Sequence, residues 1–383
     1  DAELVINGAA RRSNLVGSAR LAGRSVELKA NMRHQRSGHV VQSEWRIDGI
    51  DRPIQVDATL PGLRDLDGAR GRISWAQTSP AQVAALLGLQ TAAPLSGAAF
   101  DLKSEFELVA DAIGFNRLEL QGPNLRAGGA VNLLLAGQPR LDAVLEVKGL
   151  SVDRQAAGEG AMLPEPELLL AHLGELVTQR GLDLSLDLSI PTARLRGGIV
   201  REAALHATIA EGTLTLDRAR VLLPGGSDFS LFGFLTYDTG QPVFEGEISL
   251  QSDNLRRLLD WSGADLSLLP ADRLRSLVMS GKLAAAPRRL ALSGLDVILD
   301  ATRASGSVEL DISRAQPLME ILLEADNLNL DAYLPAGARN DKAGPDGDTS
   351  GGGSEAANPT APGLDGAPLS LALLSNIETT LWL

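Results

Sequence analysis

The chain has 383 residues, of which 44 % are hydrophobic and only 3 % aromatic, and its formal net charge is −13. This acidic balance argues against binding to nucleic-acid phosphates and against adhesion to anionic membranes, since both need clustered Lys and Arg. The absence of cysteine excludes disulfides and cysteine-ligated zinc. No run of about 18–20 apolar residues occurs, so the sequence predicts no membrane-spanning helix.

The two ends of the chain indicate that it is a segment of a longer protein. It opens on Asp1 rather than on Met, and it stops on the strand-like pattern ETTLWL. The first residues also lack the apolar core of a signal peptide. We therefore expect any anchor or signal sequence to lie upstream of this chain.

Strict alternation of apolar and polar residues is the dominant pattern along the chain. From Leu182 to Ile190, every even-numbered residue is aliphatic and every odd-numbered one is Asp or Ser. Similar alternation runs over 100–108 and 141–148, and successive side chains on a strand point to opposite faces. Pairs of turn-forming residues are expected to separate the strands, at 128–129, 197–198, 225–226 and 326–327. The pattern predicts a mainly β fold of antiparallel strands, each with one apolar and one polar face.

A Gln-Pro pair occurs three times between two alternating runs, at Gln138-Pro139, Gln241-Pro242 and Gln316-Pro317. Proline fixes φ and lacks an N–H, so it belongs at the first residue of a strand or on an edge strand. We interpret each pair as the hairpin turn of one repeated structural unit. The spacing of the pairs is irregular, so insertions must separate the units. In the second unit, the Leu-rich segment 254–263 predicts a short cap that turns the chain away from the sheet.

Helices are expected to be few. Ser79 precedes a proline and is the predicted N-cap of a helix over 80–88. Residues 164–181 carry a stripe of Leu and Val and end at a glycine, and 270–278 is a shorter helix candidate. Residues 336–368 are rich in Gly, Pro, Ser and Asp, a composition that predicts a disordered linker.

The order of these elements over about residues 80–335 resembles the AsmA family of bacterial envelope proteins. The resemblance is carried mainly by 181–259, in which an alternating strand, a Gly-bounded turn, the AEGTL turn at 210–214, a Gly-Gly turn and a Pro-opened strand lead to the Leu-rich cap. The block 81–150 fits the same pattern. The resemblance implies a long, curled antiparallel sheet that forms an apolar groove.

The resemblance also implies a function and a location. AsmA-like proteins are anchored in the inner membrane by one N-terminal helix, which this chain lacks, and they project into the periplasm. They are thought to carry phospholipid toward the outer membrane as bridge-like lipid transfer proteins. The expected partners are therefore phospholipid acyl chains, together with the envelope membranes, which parts outside this chain would reach.

The expected domain organisation has six parts. They are an N-terminal β segment (1–79), a first AsmA-like β unit (80–152), a helical insertion (153–181), the second and third AsmA-like β units (182–335), the disordered linker (336–368) and the start of a further β unit (369–383).

No catalytic constellation is recognisable in the sequence. His34 and His39 lie in a polar stretch that predicts a solvated loop, and His206 falls on the polar face of a strand. No Ser occupies a nucleophile-elbow context, and no Gly-rich loop is placed to cradle a phosphate. The carboxylates are spread evenly over the polar faces. We expect a protein that is not an enzyme and that needs no metal and no cofactor.

The inward-facing apolar residues are the expected lining of the groove. They are Phe100, Leu102, Phe106, Leu108, Leu141, Leu145, Val147, Leu182, Leu184, Leu186, Leu188, Ile190, Phe244, Ile248 and Leu250. The same alternation is also compatible with an ordinary sandwich, in which these faces would pack against a second sheet. One alternative function is therefore a structural or outer-membrane assembly factor with a closed, lipid-free sheet. A secreted enzyme or glycan-binding protein would need clustered aromatics or paired acids in one cleft, and the sequence shows neither.

Overall fold

Twenty β-strands make up most of the computed structural model. It describes residues 2–9, 12–21, 24–36, 38–63, 66–79, 82–83, 99–152, 183–238, 241–267, 269–313, 316–326 and 378–382. The predicted lining residue Leu182, the predicted helix over 164–181 and the predicted linker lie outside these residues.

The first ten strands carry the chain from residue 2 to residue 152. They are β1 (Ala2–Ala9), β2 (Arg12–Leu21), β3 (Arg24–Gln35), β4 (Gly38–Ile47), β5 (Ile54–Leu60), β6 (Arg70–Thr78), β7 (Phe100–Val109), β8 (Ala112–Gln121), β9 (Leu125–Leu134) and β10 (Arg140–Val152).

The remaining elements are ten strands and one helix. They are β11 (Asp183–Leu195), β12 (Gly198–Ala210), β13 (Thr213–Leu223), β14 (Ser227–Asp238), β15 (Gln241–Ser252), α1 (Leu255–Ser262), β16 (Leu277–Ala286), β17 (Arg289–Leu299), β18 (Thr302–Asp311), β19 (Leu318–Ala325) and β20 (Glu378–Trp382).

All twenty strands belong to one sheet, and each strand pairs with its neighbours in the chain. The pairings are antiparallel except at two places, where β10 pairs with β11 and β19 pairs with β20 in parallel. Within the described residues, β1 pairs only with β2 and β20 only with β19, so the sheet is open and is not a closed barrel. The expected mainly β, elongated and curled antiparallel sheet is confirmed.

Two long margins of the sheet, where the strands end, are called rims below. The rim that carries α1 holds the ends of β11, β13 and β15, and is named the α1 rim. The opposite rim holds the starts of β11, β13 and β15. At the first parallel join, β10 and β11 both start at the opposite rim and end at the α1 rim. At the second, β19 and β20 do the same.

The Gln-Pro pairs lie at hairpin turns, as predicted. Pro139 immediately precedes β10, Pro242 is the second residue of β15, and Pro317 immediately precedes β19. Gln138 does more than turn the chain, since its Nε2 donates to Asp183 Oδ1 (2.7 Å) at the start of β11. The first Gln-Pro turn therefore helps to hold the parallel join.

Several local expectations are corrected by the structure. Residues 270–278 do not form a helix, because 270–276 are turn and loop residues and Leu277 and Val278 begin β16. Gly128 and Gly129 are not a turn, because both lie inside β9. A methyl group on Gly129 would overlap the carbonyl oxygen of Val144 in β10, so glycine is required there by the close approach of two strands. Of the helix predicted at 80–88, only Gln82 and Val83 are described.

The predicted N-cap at Ser79 is confirmed by its hydrogen bonds. Its Oγ accepts from the Gln82 backbone N–H (3.3 Å), and the Gln82 side-chain Oε1 accepts from the Ser79 N–H (3.2 Å). This reciprocal pair is a capping box, which satisfies two N–H groups that the first turn of a helix leaves unpaired.

Candidate functional site

One face of the sheet is apolar from β3 to β19. The strand register aligns one residue from each strand into a row across the sheet. This middle row is Met32, Val41, Ala58, Gly71, Phe106, Phe115, Val131, Ala143, Leu186, Ala207, Leu216, Gly233, Gly246, Leu283, Leu292, Val308 and Ile321. Every member is apolar or glycine. At about 4.8 Å between neighbouring strands, the row is on the order of 80 Å long.

The burial of side chains on β14 indicates that the apolar face is the concave face of the sheet there. On this strand Leu235 is 0 % exposed on the apolar face, whereas Phe234 beside it is 53 % exposed on the other, polar face. Phe232 on the polar face is also 48 % exposed. Side chains converge on the inside of a curl and diverge on its outside, which explains this difference. Leu235 packs with Leu214 and other residues of the row that lies next to the middle row, on the side of the opposite rim. The middle row is the one that contains Gly233 of the same strand.

Bulges in the strands keep the apolar face continuous while the sheet curls. The register shifts at Trp75/Thr78, Phe115/Leu118, Leu216/Ala219 and Leu292/Leu295, among other places. At each of these shifts, two successive residues on the apolar face are three positions apart in the chain, whereas a regular strand places them two apart. The extra residue returns the strand to the same face and bends it.

All the described residues that were predicted to line a groove lie on this apolar face. Phe106 and Leu186 belong to the middle row. Leu108, Leu141, Leu184 and Phe244 belong to the neighbouring row toward the opposite rim. The others lie on the α1 side of the middle row: Phe100, Leu102, Leu145, Val147, Leu188, Ile190, Ile248 and Leu250.

No second sheet covers the apolar face in the described part of the chain. The strands in extensive contact with one another are all neighbours in the sheet. An ordinary sandwich would instead bring strands of two sheets face to face at about 10 Å. The middle of the apolar face is thus not closed by strands among these residues.

Helix α1 covers the apolar face along the α1 rim. The sequence predicted a short cap at this position but not its packing on the sheet. Leu255 and Leu258 are buried against Leu277 at the start of β16. The helix continues toward β11, where the Trp261 Nε1 donates to the Leu195 carbonyl oxygen (2.9 Å). Asn254 caps the N-terminus by accepting from the Arg257 N–H, and Gly263 ends the helix in the left-handed conformation.

The carboxylate of Asp300, in the turn between β17 and β18, fixes the segment that follows α1. Its two oxygens accept from the backbone N–H groups of Leu274 (3.1 Å), Arg275 (2.7 Å) and Ser276 (3.1 Å). Three converging donors favour a carboxylate over an amide, which has one acceptor oxygen and adds two donors. The sequence does not reveal this role, since an Asp between two strands indicates only a turn.

We expect Asp300→Asn to lower the free energy of unfolding by about 1–3 kcal/mol, the cost of leaving donors without a charged acceptor. Urea unfolding followed by circular dichroism measures the effect. Asp296→Asn is the matched control, because Asp296 is 60 % exposed and its ion pair with Arg303 is long (3.9 Å). An equal loss in both variants would contradict a specific role for Asp300.

One expectation about the histidines is wrong. His34 and His39 are not in a loop but face each other across the β3–β4 hairpin, with their Nδ1 atoms 2.8 Å apart. His206 lies on the polar face as expected, 3.7 Å from a carboxylate oxygen of Asp187 and of Asp217. Among the described residues, no group of three or more His, Asp or Glu side chains is placed to hold a metal ion.

No protein-family model, curated protein or solved structure matches this chain. Its function must therefore be inferred from the geometry and chemistry of its own residues. Within the ranges that the structure describes, no helix has the length and apolar character needed to cross a bilayer.

Proposed function

We propose that this chain carries phospholipid acyl chains along the apolar face of its sheet, as an AsmA-like segment of a lipid transfer protein. The observation that supports the proposal is the middle row, in which neighbouring strands from β3 to β19 each contribute an apolar residue or a glycine. A face of this length has the form of a path rather than of a single pocket.

The energetics of lipid transfer favour such a path. Exposing a buried CH₂ group to water costs about 0.8 kcal/mol, so two acyl chains of roughly 16 carbons represent on the order of 25 kcal/mol. A lipid crosses water at a useful rate only if it never incurs this loss. A continuous apolar stripe meets that requirement, and a series of separate pockets does not.

The hydroxyl groups of Ser43 and Ser104, on the apolar face, are satisfied by the protein. Ser43 Oγ donates to the Val56 carbonyl oxygen (3.0 Å), and Ser104 Oγ donates to the Asn116 carbonyl oxygen (3.0 Å). A hydroxyl that is already paired with the backbone offers little to a passing lipid. The face therefore supports movement more than retention.

The proposed setting is the periplasm, with the acyl chains moving between the inner and outer membranes. In this proposal the protein is not an enzyme, needs no cofactor, and contributes to building the outer membrane by transport. An N-terminal inner-membrane helix would belong to a part of the protein outside this chain. A structural or assembly factor with a dry sheet is the alternative, and it predicts no phospholipid after purification without detergent.

Photo-crosslinking in cells tests the proposal directly. A photoreactive amino acid is placed at Leu186 in one variant and at Asp187 in another, since these neighbours lie on the apolar and polar faces of β11. We expect phospholipid to be captured at Leu186 and not at Asp187, as detected by mass spectrometry of the adduct. Crosslinks from Leu186 to the protein alone would contradict lipid carriage and favour the dry assembly factor.

A further inference from the structure

A cleft of about 1110 Å³ lies outside the apolar face, between α1 and the turns that join β11 to β12 and β13 to β14. Its walls include Arg196 and Gly197 from the first turn, Pro224 from the second, and Arg256 and Arg257 from α1. The cleft thus lies at the α1 rim, beside the helix that covers this margin of the apolar face. The proposed acyl-chain path does not use it.

Three arginines line this one cleft of an acidic protein. Among the described residues, no carboxylate oxygen lies within 4 Å of the guanidinium of Arg196, Arg256 or Arg257. Most other arginines in the described part of the chain also have no such partner, so the cleft is set apart by bringing three guanidinium groups to one cavity. The charges of the three cleft arginines are therefore not neutralised by close ion pairs.

The cleft arginines are positioned differently from one another. Arg256 is half-buried and donates to the carbonyl oxygens of Pro270 (2.9 Å), Leu266 (3.0 Å) and Leu269 (3.1 Å), so it is a fixed part of the wall. Arg196 makes only a long hydrogen bond to the Ser262 carbonyl oxygen (3.4 Å). Arg257 is exposed. The side chains of Arg196 and Arg257 thus remain available to an incoming anion.

Two carboxylates, Asp260 and Asp265, also line the cleft. Hydrogen bonds from Ser267 lower the pKa of Asp265, so this group stays ionised at neutral pH. These five charged side chains leave the cleft with an excess of one positive charge, which favours an anion as its ligand. Guanidinium groups bind phosphate through paired N–H donors, which matches this arrangement.

We propose that the cleft beside α1 binds a phosphate group through Arg196 and Arg257, and that the phosphate is the head group of a lipid on the neighbouring apolar face. The proposal of a phosphate site is supported by the cleft and its charged side chains. Its lipid occupant rests on the proposed function. A free phosphate ester is the other source of the same chemistry.

Calorimetric titration of the whole chain separates these sources. The probes are inorganic phosphate, dihexanoyl phosphatidic acid and dihexanoylglycerol, which lacks the phosphate. The test variant is Arg196→Gln/Arg257→Gln. Its matched control is Arg218→Gln/Lys282→Gln, which removes the same charge from exposed residues of β13 and β16.

We expect the test variant to bind phosphatidic acid roughly 100-fold more weakly, since one charge-assisted hydrogen bond contributes about tenfold. The affinity for dihexanoylglycerol should not change, and the control variant should bind all three probes like the wild type. Equal losses in the test and control variants, or none in either, would overturn the phosphate site. Loss of phosphate binding only in the test variant, with no gain from the acyl chains in the wild type, would support the site but contradict lipid carriage.

Discussion

Leu186→Asp is expected to reduce phospholipid transfer by at least about 100-fold. Leu186 lies in the middle row, with Ala143 of β10 and Ala207 of β12 as its neighbours across the sheet. A carboxylate there must lose its water when an acyl chain passes, and the effective cost of burying an unpaired charge is several kcal/mol. Each 1.4 kcal/mol of added barrier slows a step tenfold. Transfer of a fluorescent phospholipid between donor and acceptor vesicles measures the effect.

Ser185→Asp is the matched control for Leu186→Asp. It adds the same charge one residue earlier in β11, on the polar face. Circular dichroism must show the same strand content in both variants, so that lost transfer is not lost folding. A folded Leu186→Asp protein that transfers lipid at the wild-type rate would show that acyl chains do not move along this face.

The second large effect is expected for Leu235→Ala, which should lower the free energy of unfolding by about 2–5 kcal/mol. Leu235 is fully buried at the centre of a cluster that also contains Ile209, Leu214, Phe244 and Ala285. Removing its side chain loses the transfer free energy of three carbon atoms and leaves a cavity. Denaturant unfolding followed by circular dichroism gives the value.

Phe234→Ala tests whether that loss depends on the face rather than on the strand. Phe234 is the next residue along β14, is larger than leucine, and is half-exposed on the polar face. Its replacement is expected to cost less than about 1 kcal/mol, because most of its surface is already in water. If Phe234→Ala were the more destabilising variant, the apolar face would not be the concave one.

The alternation of residue types was enough to predict the fold class and the face on which each predicted lining residue among those described lies. In β11 the pattern from residue 183 to 190 gives the orientation of each side chain, because the period of a strand is two. The Gln-Pro turns were equally readable, since proline has few permitted places in a sheet. These features depend on local geometry alone.

Features that depend on contacts between distant residues were not predicted. The bulges are the clearest case, since a strict period of two fails wherever an extra residue is inserted. A usable signal was present, because Phe115 and Leu118, like Leu292 and Leu295, are apolar residues three apart within one strand. The sequence predicts a turn at Gly129 because both a turn and a close approach between two strands require glycine. The residue type alone does not distinguish the two.

The cleft arginines could not have been found from the sequence. Arg196 and Arg257 are 61 positions apart in the numbering, and only the path of α1 along the rim brings them to one cavity. The failure to predict the turns at 270–276 has a similar origin. Local propensity there favours a helix, but the Asp300 carboxylate holds three of its N–H groups in another arrangement.

The two parallel joins have a consequence for how such a protein changes length in evolution. The block from β11 to β19 has an odd number of strands, so an antiparallel continuation would start the next block at the other rim. The parallel join instead lets β20 start at the same rim as β11. A duplicated copy of this block could therefore follow the first by simple translation, with its faces and rims in the same orientation. Each duplication would add about 43 Å, at roughly 4.8 Å for each of the nine strands from β11 to β19.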